Sequence, residues 1–200
     1  MSEGPVALLP LFPLQTVLFP GGVLPLHVFE ARYMDLVTRC LKDDAVFGVN
    51  LIAEGAEVGA PAVPHAVGVS ARIVTWDMPQ PGVLDVVTRG ERRFRVRHTE
   101  LGANGLLVAD VDWLPEPPPA AVAGEFQILV ALLKAIVEDA GAVRFPPPHH
   151  YADADWLGMR FAEVLPIPVL ARQRLLELDD AHSRLEIIRS FLAQRGLLGA

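Results

Sequence analysis

A serine–lysine hydrolase needs a lysine whose amine is desolvated, so that it can take the proton of the attacking hydroxyl. The chain offers Lys42 and Lys134 against Ser2, Ser70, Ser183 and Ser190. Both lysines fall in stretches of helical periodicity, and no local pattern couples either to a serine. A Ser–His–Asp triad can draw its members from distant positions. Counting residues therefore leaves one open, but no G-x-S-x-G elbow supports it. Phosphate-cradling loops of the G-x-x-x-x-G-K-[ST] or G-x-G-x-x-G kind are absent, as are H-E-x-x-H and C-x-x-C. His149 and His150 are adjacent, with Asp153 and Asp155 close by as oxygen donors. Neighbouring side chains on a loop rarely converge on one ion, so an exposed loop is expected there. His27, between Leu26 and Val28, reads as structural; His98 and His182 have no acid partner in a motif. The expectation is a chain with no catalytic residue, no cofactor site and no metal site.

The densest charge is "RGERRFRVRH", carrying Arg89, Arg92, Arg93, Arg95 and Arg97. Such a row could meet RNA or an acidic partner. Strand geometry offers another use. Arg93, Arg95 and Arg97 fall on one face, and Phe94, Val96 and His98 on the other. A two-residue turn at Asn104-Gly105 would set Arg97 opposite Asp112 and Thr99 opposite Asp110. It would also place His98 opposite Val111 on the core side. Arginines would then face aspartates, each pair stabilising by roughly 0.2–1 kcal/mol. A longer loop around Gly102 would shift this register.

The totals agree with a compensated face. Seventeen basic residues against 24 acidic ones leave a net charge of −7, which argues against phosphate neutralisation as the main task. Apolar residues make up 52% of the 200, enough for a substantial core. Cys40 is the one cysteine, which excludes an internal disulfide and fits a reducing compartment. The acidic start and the prolines of "LLPLFPLQTVLFP" argue against a secretory signal. The apolar stretch near residues 128–137 is well short of the roughly 20 residues that cross a bilayer. A cytoplasmic protein away from the membrane is expected.

Pro10, Pro13, Pro20 and Pro25 forbid a long helix and are tolerated only at edges, strand starts and bulges. The opening therefore reads as short kinked strands, with a turn at Gly21-Gly22. "FEARYMDLVTRCLKDD" spaces Phe29, Tyr33, Leu36, Val37, Cys40 and Leu41 as one helical stripe, with Cys40 a buried, inert thiol. Strand patterns return in "AVFGVNLIA", "PHAVGVSARIVTW", "VLDVVTRGERRFRVRH" and "GLLVADVDW". About seven short strands before Pro115 suggest a sandwich or barrel, with "WDMPQP" as a loop. "PEPPPA" separates this half from a helical one. There a largely apolar helix spans residues 121–141 and stops at Gly141. A second is capped at Asp153 or Asp155, and others run over 169–178 and 180–195.

Three of these segments fall into one known pattern. "LPLFPLQTVLFPGGVLPLHVFEARY" resembles the opening of the Lon protease N-terminal domain. "GVSARIV" with "DVVTRGERRFRV" is similar to that domain's central strands, and "LPIPVLARQRLLELDDAHSRLEII" to its closing paired helices. The resemblance runs from about Val6 to Arg195. It implies an α+β protein: a PUA-like β-barrel with a packed helix over residues 1–114, then a C-terminal helical bundle over 119–200. Glu30, Arg32 and Tyr33 match the motif after the opening strands, where they would tie the helix to the barrel. Gly90, Arg93 and Phe94 match the central-strand motif. The Lon ATPase and peptidase lie in later domains. The chain thus resembles stand-alone members of the family, and no catalytic residue is carried over.

The resulting expectation is a non-catalytic module that binds exposed apolar segments of other polypeptides, unfolded or linked to a protease. The candidate contacts are Phe19, Trp76 and Met78 in apolar loops, with Arg93, Arg95 and Arg97 as a second set. The alternative is a PUA-like RNA-binding module using the Arg89–Arg97 strand face. The oligomeric state stays open.

Overall fold

The computed structural model describes residues 8–198; Ser2, the acidic start and Val6 of the sequence reading lie outside them. The chain forms two compact units, residues 1–115 and 116–200.

The first unit holds a six-stranded sheet and one helix: β1 (Leu9–Leu14), β2 (Val23–Val28), α1 (Ala31–Asp43), β3 (Phe47–Glu54), β4 (Val63–Gln80), β5 (Val83–Leu101) and β6 (Leu107–Trp113). The strand order is β2-β5-β4-β3-β1-β6, and the far half of β5 also pairs with β6, so that neighbour pairing returns on itself. β1 runs parallel to β3 and antiparallel to β6. Leu9, Leu11, Phe94 and Ala109 pack together in the interior of this arrangement. β1 carries Pro10 and Pro13 and β2 carries Pro25. Each missing donor is tolerable because β1 changes partners along its length and β2, among the described residues, has β5 alone beside it.

The strands are fewer and longer than the seven short ones expected. β4 and β5 span 18 and 19 residues. Pro81 and Gly82 alone separate them, with Gly82 at φ 84°, so "WDMPQP" is the end of a hairpin and not a loop. Register shifts within the β4–β5 pair, such as that between Val69 and Ala71, let strands this long curve.

Gly21-Gly22 does make a turn. The Gly22 N–H donates to the Phe19 carbonyl at 2.9 Å, and Gly21 has φ 76°, which favours glycine. Gly90 faces this turn. The Gly21 N–H donates to the Gly90 carbonyl at 2.7 Å, and the Gly90 N–H to the Gly22 carbonyl at 2.9 Å. This is a bulge with glycine at its left-handed position.

α1 lies against the sheet through Tyr33, whose ring stacks on Phe12 with centroids 3.8 Å apart. Arg32 pairs with Glu30 at 3.0 Å and donates to the Gly105 carbonyl at 3.3 Å. Cys40 is buried in this helix, and burial pushes its thiol up to about 11. A thiol so rarely ionised is a poor nucleophile.

The second unit is helical: a 3-10 turn (Gly124–Phe126), then α2 (Gln127–Arg144), α3 (Ala154–Val164), α4 (Val169–Glu177) and α5 (Ala181–Gln194). Gly141, the expected stop, breaks the helical geometry inside α2 with φ 76° and ψ 172°. Asp153 caps α3 by accepting from the Asp155 N–H, and Asp180 caps α5 by accepting from the Ser183 N–H. Buried Arg184 joins three helices. It donates to the Leu175 carbonyl at 2.9 Å, to the Leu178 carbonyl, and to Asp155 Oδ1 at 2.5 Å.

Glu163 on α3 pairs with Arg160 at 3.1 Å. Burial pushes its carboxyl up to about 7, against the opposing pull of Arg160, Arg144 and Arg172. The folded protein thus holds this proton more tightly than the unfolded chain does. The group's contribution is fully present below about pH 4.5 and is lost as the pH rises toward about 7. Denaturant melts across that window should show wild-type stability falling relative to Glu163→Gln, by on the order of 3 kcal/mol at most. Parallel curves for the two proteins would refute this assignment.

Candidate functional site

The arginine row meets the aspartates by a register other than the one expected. The β5–β6 loop is longer than Asn104-Gly105: Leu101 pairs with Leu107, the Gly102 N–H donates to the Leu106 carbonyl at 2.8 Å, and Gly105 has φ 77°. A bulge between Val96 and His98 then sets Arg95 opposite Asp112 and His98 opposite Asp110. His98 is therefore exposed, not on the core side. Arg97 sits in the bulge and still reaches both acids, Asp110 at 2.9 Å and Asp112 at 3.4 Å. Arg93 does not share the solvent face with Arg95 and Arg97: it is only 5% exposed. Arg92 covers the Trp113 ring at 5.1 Å, and Arg72 pairs with Asp44 and Glu91.

Phe19 also corrects an expectation. It is wholly buried, at 0% exposure, because the Phe19–Gly22 turn folds its side chain inward to fill the core. Trp76 and Met78 are different: they are 56% and 49% exposed. Their hairpin positions them, since every β4 residue from Val74 to Gln80 is exposed. Trp76 pairs with Val86 of β5, and β5 pairs in turn with β2.

Beside Trp76 lies a depression of about 450 Å³ lined by Pro25, His27, Thr75, Asp77, Asp85 and Val87 among others. His27, read from the sequence as structural, is exposed, and its Nδ1 lies 2.5 Å from Asp85 Oδ1. Asp77 stands directly opposite Asp85 across the β4–β5 pair, a like-charge juxtaposition that destabilises unless a cation compensates. A second depression, about 300 Å³, is lined by Leu14, Leu24, Leu26, Phe29 and Val58, with Glu30 and Glu57 also lining it. Pro25, Leu26 and His27 line both depressions. Sequence reasoning singled out Trp76 and Met78 but not this acid pair, because only the hairpin register brings Asp77 and Asp85 together.

A family model, the ATP-dependent protease La (LON) substrate-binding domain, matches residues 8–194. The chain belongs to the Lon substrate-binding domain family. The structure is similar to the crystal structure of a Lon N-terminal domain protein from Xanthomonas campestris, with TM-score 0.77 and 37% identity, covering 92% of this chain and 98% of that one. The N-terminal domain of a Mycobacterium avium complex Lon protease shares the fold at TM-score 0.64 and 22% identity, over 94% of this chain and 98% of that one. Lon protease 2 of Myxococcus xanthus is 29% identical over 94% of this chain, which spans 24% of that protein. The chain thus spans about a quarter of the length of the curated Lon relatives it matches, and the family match takes in its substrate-binding domain alone.

In the helical unit a depression of about 400 Å³ is lined by His149, His150, Tyr151 and Asp153 among others. His149 lies 2.9 Å from the Phe145 carbonyl and packs near Tyr151 and Trp156. Asp153 and Asp155 are engaged in the α3 cap and with Arg184. Among the described residues no group of three or more His, Cys, Asp or Glu side chains is placed to hold a metal ion, and no helix is long and apolar enough to cross a membrane.

Proposed function

We propose that this chain is a non-catalytic polypeptide-recognition module that takes exposed apolar segments of other proteins in the cytoplasm. The observation that carries the reading is the exposure of Trp76 and Met78 beside an open depression, in a member of a substrate-binding domain family. Tryptophan supplies a large rigid contact and methionine an adaptable one. The finer architecture belongs to the same reading: the returning strand circuit is a PUA-like β-barrel over residues 1–114, and the helices of 119–200 form a bundle. Phe19 and Arg93 drop out of the contact set because they are buried.

Reduced, carboxymethylated lactalbumin, which stays unfolded, provides the test. Calorimetric titration should show binding to it and none to the folded form. Trp76→Ala should weaken that binding by about tenfold, the loss of about 1.4 kcal/mol. Absence of any binding to the unfolded client overturns the proposal.

The RNA-binding alternative needs an uncompensated arginine face. Arg97 bonded to Asp110 and Asp112 and buried Arg93 weigh against it. Its signature would be affinity for single-stranded RNA that falls steeply with salt.

A further inference from the structure

We infer that the polypeptide segment is taken as an added strand on the outer edge of β2, with a basic side chain of the segment placed over Asp77 and Asp85. This rests on the polypeptide-recognition reading above and specifies its mode and the chemistry of the segment.

β2 pairs with β5 and with no other strand among the described residues. Which of its backbone groups face outward follows from the ladder. The Gly90 N–H donates to the Gly22 carbonyl, and β2 continues from there in the register Val23↔Arg89 to Val28↔Leu84. Antiparallel pairs alternate between bonded and non-bonded, so Leu24, Leu26 and Val28 bond to β5. Val23, Pro25 and His27 turn their backbone groups away from it. Pro25 thus occupies a position where no ladder donor is missed. The outer edge presents the carbonyls of Val23, Pro25 and His27 and the N–H groups of Val23 and His27. A missing donor at the centre discourages indiscriminate edge pairing while leaving enough partners for a short added strand.

The surroundings select the segment. Depressions on either side of Pro25–His27 would take apolar side chains of an extended chain, whose residues alternate in direction. Asp77 and Asp85 stand opposite each other, and His27 is the basic side chain that pairs with Asp85 among the described residues. An arginine or lysine of the added strand would relieve that repulsion, so the fitting segment is apolar with a basic residue. A segment carrying glutamate there would be disfavoured.

The test uses a fluorescein-labelled decapeptide of alternating valine and threonine with one central arginine, and two variants of it. Each variant is N-methylated at one of the two alternating sets of amides, which leaves the protein untouched. Fluorescence anisotropy should show that one methylated set loses affinity by about tenfold or more while the other stays within about twofold of the parent, since only alternate amides face β2. Arginine→glutamate in the peptide should weaken binding at low salt, and His27→Pro should do so by removing an edge donor. Equal affinity of both methylated peptides, with Trp76→Ala still weakening the parent, overturns strand addition and leaves the recognition reading standing. If neither the decapeptide nor unfolded lactalbumin binds, both fall. Sedimentation showing a dimer that the decapeptide dissociates would make a second copy of this chain the occupant and overturn the inference.

Discussion

Gly90→Ala is expected to destabilise the first unit by about 3 kcal/mol, the upper end of what overpacking costs. A Cβ built on Gly90 would lie 2.2 Å from the Phe19 carbonyl oxygen and 3.1 Å from Leu18 Cγ. The first of these is backbone, so no rotamer change relieves it. The carbonyl is held by the Gly22 N–H at 2.9 Å, and Phe19 is anchored in the core. Moving the turn away would also break the paired bonds of Gly90 with Gly21 and Gly22. Urea denaturation should show a lowered midpoint with an unchanged slope. Gly124→Ala, whose Cβ meets open space, should stay within about 0.5 kcal/mol of wild type. A Gly90→Ala protein as stable as that control would show that the turn is free to move.

Arg184→Met is the second large effect. Arg184 is 0% exposed and is the shared donor of α3, α4 and α5. Removing it takes a donor from the Leu175 and Leu178 carbonyls and the cation from the Asp155 carboxylate. Breaking a buried pair in this way costs about 3–5 kcal/mol. Loss of the helical circular-dichroism signal at lower denaturant would report it. Arg184→Lys should recover little, since one ammonium cannot span acceptors arranged for a planar fork. Arg184→Met with Asp155→Asn should recover part of the loss, because the second change removes the orphaned charge. If Arg184→Met melts with wild type, the arginine is a passenger and leucine packing alone holds the helices.

Arg184 also shows where sequence reading reached and where it stopped. Leu185, Ile188, Phe191 and Leu192 are legible as the inward stripe of α5 from their spacing, and all are buried except Phe191, which is half-buried. An arginine beside that stripe reads as solvated, because charged residues are almost never fully buried unless paired. Two of its partners are carbonyls at the end of another helix, which have no signature in residue type, and the third, Asp155, lies on a helix that only folding brings near. The arginine row makes the same point. The row and the aspartates facing it are visible as strings, yet a loop longer than two residues and one bulge changed which pairs meet.

The sequence by itself determined the family, the division into a strand-rich half and a helical half, a helix cap at Asp153 or Asp155, and Gly90 as part of a central-strand motif, whereas the cap at Asp180 came from the structure. Those properties are local: hydrophobic period, proline and glycine constraints, and capping chemistry act over a few residues and can be read in order. Tertiary structure alone decided that Phe19 and Arg93 are interior and Trp76 and Met78 are not, that Asp77 opposes Asp85, and that β2 pairs with β5 alone among the described residues. Each of these depends on pairing between residues far apart in the chain. Because side chains alternate along a strand, one bulge or one extra loop residue reverses which of them water can reach.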